Sequence, residues 1–174
     1  MATMTLTPDG LSASTGWAAN TGTINAALEA NDGDTTYAEA GTDTETCTLT
    51  FSAPSVAESG ISSITSVQFL TFGRFPARGS GGTNVDFEYE VGASSGLGET
   101  INYPNSSPHA SRDGTVRTVN PTGSAWTYSN LEDAQIVLTK NTASSPDVRI
   151  TMVNILVTYA AKATDNAVFF GTNF

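Results

Sequence analysis

The pattern of apolar and polar residues in the segment 147–159 predicts a long β-strand. Starting at Val148, every second residue is apolar, and the apolar positions then shift by one at Met152-Val153. Successive side chains of a strand point to opposite faces of its sheet, so a strand with one buried face alternates in this way. The change of phase predicts a β-bulge, which redirects side chains without ending the strand.

The same alternation recurs in Glu45–Phe51, Ser66–Phe72 and Val85–Val91. Segments rich in Gly, Pro, Asn and Asp separate these runs, and only Ile24–Ala30 favours a helix, of about one turn. Short strands separated by turns are typical of sandwiches. The sequence therefore predicts an all-β fold, an antiparallel β-sandwich of jelly-roll type with long polar loops.

Three connections are predicted from local chemistry. Pro8-Asp9-Gly10 should end a first strand that runs over Met4–Thr7, because Pro, Asp and Gly favour turns. Gly92–Arg112 is expected to be a long polar excursion, too long for a simple hairpin turn. Pro121–Thr127 is expected to be a turn that delivers Trp126 to the core.

The chain divides into one sandwich domain, 1–160, and an extended C-terminal tail, 161–174. A single domain suits 174 residues. Aromatic side chains are costly to leave in water, so the tail should fold back over its own sheet or dock on a neighbour by strand addition. Both alternatives stay open. The apolar residues proposed for partner contact are Met4 and Leu6 near one end and Val168, Phe169, Phe170 and Phe174 in the tail.

Charge and composition narrow the range of partners. Seventeen acidic residues against seven basic ones give a net charge of −10, which disfavours nucleic-acid binding because phosphate groups are repelled. No basic region precedes an apolar stretch at the start of the chain, and no run is long enough for a membrane span. We therefore expect a protein made and soluble in a cytosol, with no membrane partner.

Candidate chemistry is sparse, and the sequence predicts no enzyme, cofactor or metal. His109 is the only histidine, and no neighbouring pattern supplies the orienting group and nucleophile that a catalytic base requires. Cys47 is the only cysteine, so it has no internal disulfide partner, and its alternating run predicts a buried position. Asn31, Asp32 and Asp34 offer fewer oxygens than calcium requires and are also ordinary turn residues.

Two further groups of residues have both a functional and a structural interpretation. Asp86, Glu88 and Glu90 share one face of a strand, at separations typical of glycosidase carboxylates, but a solvated outer face produces the same alternation. Trp17 and Tyr103 are the candidate residues for stacking on a glycan, although such aromatic residues more often lie in the core.

A resemblance to a known group adds an expectation about function. Scattered positions between about residues 10 and 160 resemble virion proteins of tailed bacteriophages, namely Gly16-Trp17, Asp32–Tyr37, Phe51-Ser52-Ala53-Pro54, Ile61–Phe69, Pro121–Thr127 and Val148–Tyr159. Proteins of this kind are capsid decoration (cement) proteins, head fibres or tail components, often trimeric.

The resemblance implies a non-enzymatic decoration protein on the outer capsid surface, made in the host cytoplasm. Its partners would be the major capsid protein and further copies of itself, with a homotrimer favoured. An acidic surface rich in Ser and Thr suits a soluble outer shell. The alternative is a carbohydrate-binding or receptor-recognition module of a phage tail or fibre, because a fold does not fix a function.

Overall fold

The protein is an all-β sandwich in a computed structural model that describes residues 1–33, 35–76, 82–104, 110–141 and 147–163. In these ranges the helices are α1 (Ile24–Ala27) and α2 (Tyr128–Glu132), and Glu58–Gly60 forms a 3₁₀ turn. The strands are β1 (Ala2–Leu6), β2 (Pro8–Thr15), β3 (Ala18–Ala19), β4 (Ala38–Ala40), β5 (Thr46–Phe51), β6 (Ile61–Arg74), β7 (Gly82–Val91), β8 (Ser94–Pro104), β9 (Ala110–Ser111), β10 (Ala134–Lys140) and β11 (Val148–Ala161).

The strands form two antiparallel sheets with nested pairing. In the described chain, the first sheet has the order β3-β4-β11-β6-β9, with β1 added beside β11, and the second has the order β2-β5-β10-β7-β8. Thus β4 pairs with β11, β5 with β10, β6 with β9 and β7 with β8, each pair lying inside the previous one in sequence. Such nesting across two packed sheets is the jelly-roll arrangement, which confirms the predicted fold class.

Strand β11 organises the first sheet. One of its edges pairs along its whole length with β6, and its other edge pairs with β4 and then β1. Between these two strands, Leu28 accepts a backbone hydrogen bond from Val153, at 2.9 Å. The predicted bulge is present, but one residue earlier than expected. It lies at Thr151, which is fully buried and donates its hydroxyl to the backbone oxygen of Phe72, 3.2 Å away.

The core lies between the two sheets and is built around aromatic rings. The rings of Phe69 on β6 and Phe87 on β7 are stacked, with their centroids 4.8 Å apart. The ring of Tyr89 contacts Phe69 and packs edge-to-face on Trp126, with the ring centroids 5.8 Å apart. The prediction that the segment 121–127 delivers a tryptophan to the core is therefore confirmed. Offset and edge-to-face ring pairs add to the stabilisation that burial itself provides.

Two predicted connections differ from the structure. The first strand does end just before Pro8, since β1 finishes at Leu6, but Pro8-Asp9-Gly10 is not a turn: Pro8 begins β2, which pairs with β5 in the other sheet through two register shifts. Most of β2 is exposed on both faces, so its sequence carries no alternation. The segment from Gly92 is not a long loop either. A two-residue turn at Gly92-Ala93 leads directly into β8, which pairs with β7 as a hairpin.

Candidate functional site

One side of the sandwich is closed by residues 110–121, which we call the closing segment. Its backbone follows the outer edge of β6: Arg112 N donates to Thr71 O at 3.0 Å, and Gly114 N donates to Phe69 O at 2.9 Å. Further along, Arg117 and Val67 exchange two backbone hydrogen bonds. An unpaired strand edge is a site for unwanted pairing, and the closing segment covers this one.

The closing segment also reaches the edge of the second sheet. Arg117 Nη2 lies 3.0 Å from Glu99 Oε2 on β8, and the same oxygen accepts the backbone N–H of Thr115 at 2.8 Å. Arg117 Nη2 also donates to Leu97 O, at 3.2 Å. Both charged side chains are largely buried, so their attraction is screened less than that of a surface pair. The segment therefore ties one sheet to the other.

The outer face of the second sheet, which we call the polar face, carries rows of side chains across three strands. In register, Thr46 on β5 lies beside Thr139 on β10, which lies beside Asp86 on β7. All the members are half-buried, and they form three rows: Thr46, Thr139 and Asp86; Thr48, Val137 and Glu88; Thr50, Gln135 and Glu90. The polar face is thus hydroxyl-rich at one side and acidic at the other.

The acidic side of the polar face has its own hydrogen bonds. Asp86 accepts the Thr100 hydroxyl at 2.5 Å and the Asn141 amide at 2.6 Å. Together with Glu88 and Glu99, Asp86 lines a depression of about 290 Å³ beside the β7–β8 register shift. Same-face neighbours on a strand are roughly 7 Å apart, as the glycosidase interpretation requires. The position of these residues on the outer surface of the sheet is also the position that the alternative interpretation, a solvated outer face, predicts.

A buried lysine lies at the end of the sandwich where β11 begins. Lys140 is fully buried, and its Nζ donates to Gly41 O at 2.8 Å. Nearby, Glu45 accepts hydrogen bonds from the Thr42 hydroxyl and from the N–H groups of Gly41 and Thr42. Burial would raise the pKa of Glu45, but these hydrogen bonds and the Lys140 ammonium outweigh it and lower that pKa below its usual value.

A second charged contact lies at the same end of the molecule. Arg149 Nε on β11 is 3.2 Å from Glu39 Oε2 on β4. The guanidinium of Arg149 also lies over the ring of Tyr37, with its central carbon 4.4 Å from the ring centroid. Such a cation–π contact stabilises both groups and holds the segment that precedes β4 against β11.

A groove lies at the opposite end, where β11 finishes. We call it the Trp126 groove; its volume is about 260 Å³. Its lining combines apolar side chains with a polar rim, and consists of Ile61, Ile64, Trp126 and Tyr128 with Glu58, Ser62, Ser63 and Thr127. The indole N–H of Trp126 is buried and has no acceptor within the described ranges. Thr127 caps α2 in a capping box with Asn130, which fixes the groove wall.

The two candidate glycan-contact residues are core residues. Trp17 is 5% exposed, and its Nε1 donates to Glu45 O at 3.0 Å. Tyr103 is fully buried, and its hydroxyl donates to Thr71 Oγ1 at 2.7 Å. Burial raises the pKa of Tyr103, more than the hydrogen bond with Thr71 lowers it. Neither ring offers a face to a sugar, so the glycan-contact prediction for this pair is wrong and the structural interpretation holds.

The two N-terminal residues proposed for partner contact are also internal. Met4 and Leu6 lie on β1, in register with Val157 and Ile155 of β11, and both belong to the core. Because Leu6 is fully buried, it cannot contact another protein while β1 is paired. The other four proposed contact residues, Val168, Phe169, Phe170 and Phe174, lie outside the described residues, as does His109.

The remaining candidates have structural roles. Cys47 is fully buried on β5, and burial raises the pKa of its thiol to about 12. Asp32 accepts hydrogen bonds from the backbone and the hydroxyl of Thr36, as a turn residue does. Within the described ranges, no three His, Cys, Asp or Glu side chains come together to hold a metal ion. No helix in those ranges has the length and apolar character to cross a membrane.

Sequence reasoning missed the closing segment, Lys140 and the Trp126 groove. Lys140 stands at a position of β10 where the alternation calls for an apolar residue, and a lysine at such a position was the available signal. Arg117 and Glu99 carry no local motif, because the ion pair joins parts of the chain that only the fold brings together.

The described residues form an antiparallel jelly-roll sandwich with a closed side, a polar face and the Trp126 groove at one end. The chain matches no protein-family model, no curated protein and no solved structure.

Proposed function

We propose that this protein is a non-enzymatic structural component of a tailed-phage virion, a capsid decoration protein that binds the major capsid lattice as an oligomer. The observation that supports this function is the polar face. A rigid sheet presents rows of hydroxyl and carboxyl groups over a broad area, as a contact surface requires. The sequence resemblance supplies the particular setting, and a homotrimer on the outer capsid surface is part of the proposal.

The mechanism is contact without chemistry. The polar face would meet polar and basic groups of the capsid protein, where acidic side chains steer association and set orientation. The apolar tail would add buried area to this contact through Val168, Phe169, Phe170 and Phe174. Since interfaces derive most of their binding energy from a few buried aromatic residues, the tail should contribute more affinity than the polar face.

A co-sedimentation experiment tests the proposal. Heads assembled from the major capsid protein encoded in the same genome are mixed with the full chain, and the occupancy is measured after pelleting. We expect saturable binding that falls at least tenfold when Phe169 and Phe170 are both replaced by Ser, because each buried aromatic contributes about 1 kcal/mol or more. Thr164→Ala, in the same tail, is the matched control and should bind as the wild type does.

Two results would contradict the proposal. Absence of saturable binding to heads would exclude the decoration role. Equal binding by the Phe169→Ser, Phe170→Ser variant would exclude the tail as a contact element. Sedimentation equilibrium of the free chain tests the trimer separately, since a monomer at all concentrations would remove that part of the proposal.

A further inference from the structure

The Trp126 groove lies directly beside the point where the described chain ends. Ala161, the last residue of β11, is the register partner of Ile61, which lines the groove. One residue later, Lys162 N donates to Gly60 O at 3.0 Å. The tail therefore leaves the sandwich within one or two residues of this groove.

The groove has the size and the chemistry of a receptor for a side chain. At about 260 Å³ it is smaller than the usual cavities for small-molecule ligands, which begin near 300 Å³. Two isoleucines and Trp126 form its floor and Tyr128 adds a half-exposed ring. An aromatic ring that enters such a site can pack against Trp126 and Tyr128 in the edge-to-face or offset geometry that aromatic pairs favour.

The tail supplies a matching group at a suitable distance. Four residues, 164–167, separate Ala163 from the apolar run Val168-Phe169-Phe170, and they include Asp165-Asn166. Asp and Asn favour turns, and reversals of two to five residues are the commonest in β-proteins. Phe169 lies six residues beyond Ala163, a reach of up to roughly 20 Å, which exceeds the separation of β11 from the neighbouring groove.

We propose that the Trp126 groove binds Phe169 or Phe170 of the chain's own tail, folded back after residue 163. The occupant is the same molecule, because a linker of a few residues gives an effective concentration of the order of millimolar. A second copy at micromolar concentration would bind the groove far less often. In the free protein, docking keeps these aromatic side chains from water, and a partner surface would have to compete with the groove for the tail.

Disulfide trapping in the full-length protein tests this inference. Ser63→Cys, at the groove rim, is combined with Phe169→Cys in one variant and with Phe170→Cys in another. Asp43→Cys with Phe169→Cys is the control, because Asp43 is exposed near the start of β11, about 45 Å from its end. We expect at least one groove pair to form an intramolecular disulfide roughly tenfold faster than the control, as a high effective concentration requires. Cys47 is buried, and peptide mapping by mass spectrometry excludes its participation.

Two outcomes would overturn the inference. One is trapping of both groove pairs at no more than the control rate. The other is a covalent dimer as the main product at micromolar concentration, which would assign the groove to the tail of a second copy. These results do not depend on capsid binding, so this inference and the decoration role can fail separately.

NMR provides a second readout without cysteines. Deleting 164–174 should shift the indole N–H resonance of Trp126 and the methyl resonances of Ile61 and Ile64. The indole resonance of Trp17, in another part of the core, is the internal control and should not move. Adding a peptide of residues 164–174 should restore the shifts in part. Unchanged groove resonances in the deletion variant would contradict the proposal.

Discussion

Replacing Gly114 with alanine should destabilise the protein, because the closing segment packs directly on the core at this residue. A Cβ built on Gly114 would lie within 3.0 Å of three atoms of the Phe69 ring, a separation that real Cβ atoms essentially never show. The ring cannot move aside easily, since it stacks on Phe87 and contacts Tyr89. Gly114→Ala must therefore displace the backbone of the closing segment or distort the core.

The expected cost follows from both consequences. Overpacking a tight core costs about 1–3 kcal/mol. Displacement would weaken two hydrogen bonds, Gly114 N to Phe69 O at 2.9 Å and Gln68 Nε2 to Gly114 O at 2.7 Å, each contributing about 1 kcal/mol. We expect a loss of about 2–4 kcal/mol in the free energy of unfolding, or a decrease of roughly 5–15 °C in Tm for a chain of this size.

Denaturant unfolding, followed by near-UV circular dichroism, measures this loss at constant m-value. Gly98→Ala on β8 is the matched control, because its nearest neighbour would be Phe87 O at an ordinary 3.7 Å, and it should change stability by less than about 0.5 kcal/mol. Phe69→Leu, which removes the clashing atoms, completes a double-mutant cycle. The double variant should lose at least about 1 kcal/mol less than the sum of the single variants. Additive losses would refute the proposed contact.

Three other predictions concern charges and the buried thiol. Because the pKa of Glu45 is lowered in the folded protein, its ionised form contributes stability that is present above the unfolded pKa near 4.5 and is lost as the pH falls through the folded value. Glu45→Gln should therefore flatten the acid side of the stability–pH curve. An unchanged slope would refute this. Cys47 should resist iodoacetamide at pH 8 in the native protein and react after unfolding, as mass spectrometry would show, whereas rapid native labelling would contradict its burial. Arg117→Ala should lower the free energy of unfolding by about 1–3 kcal/mol and speed hydrogen exchange at the Gly114 and Thr115 amides. Unaltered exchange would show that the ion pair with Glu99 does not hold the closing segment in place.

Alternation predicted the central strands well because each of them has one buried face. Along β7, every second residue from Val85 is buried and the acidic residues between them are half-buried, as expected. The same logic found the bulge in β11 to within one residue. It failed at β2, where residues 11–15 are exposed on both faces. Because neither face is buried there, the sequence does not alternate between apolar and polar residues. It also failed at β8, where glycines and serines hid the strand before Ile101 and Tyr103.

The candidate site was harder to predict because its parts meet only in the folded chain. The alternation of Asp86, Glu88 and Glu90 predicted the acidic side of the polar face, but only the register with β10 and β5 places threonines beside it. Trp17 and Tyr103 carried no sign of whether they were exposed. Their hydrogen bonds, to a backbone oxygen 28 residues away and to a hydroxyl 32 residues away, settle both as internal.

The position of β11 has a consequence for the order of events during translation. Residues 148–161 supply the partner for β1, β4 and β6, all of which leave the ribosome earlier. At roughly 5–20 residues per second, β6 would wait roughly 4–17 s for this partner, with the backbone groups of that edge unpaired. The first sheet can close only after residue 161 has left the ribosome, so β6 must stay unpaired on this side while residues 75–161 are made.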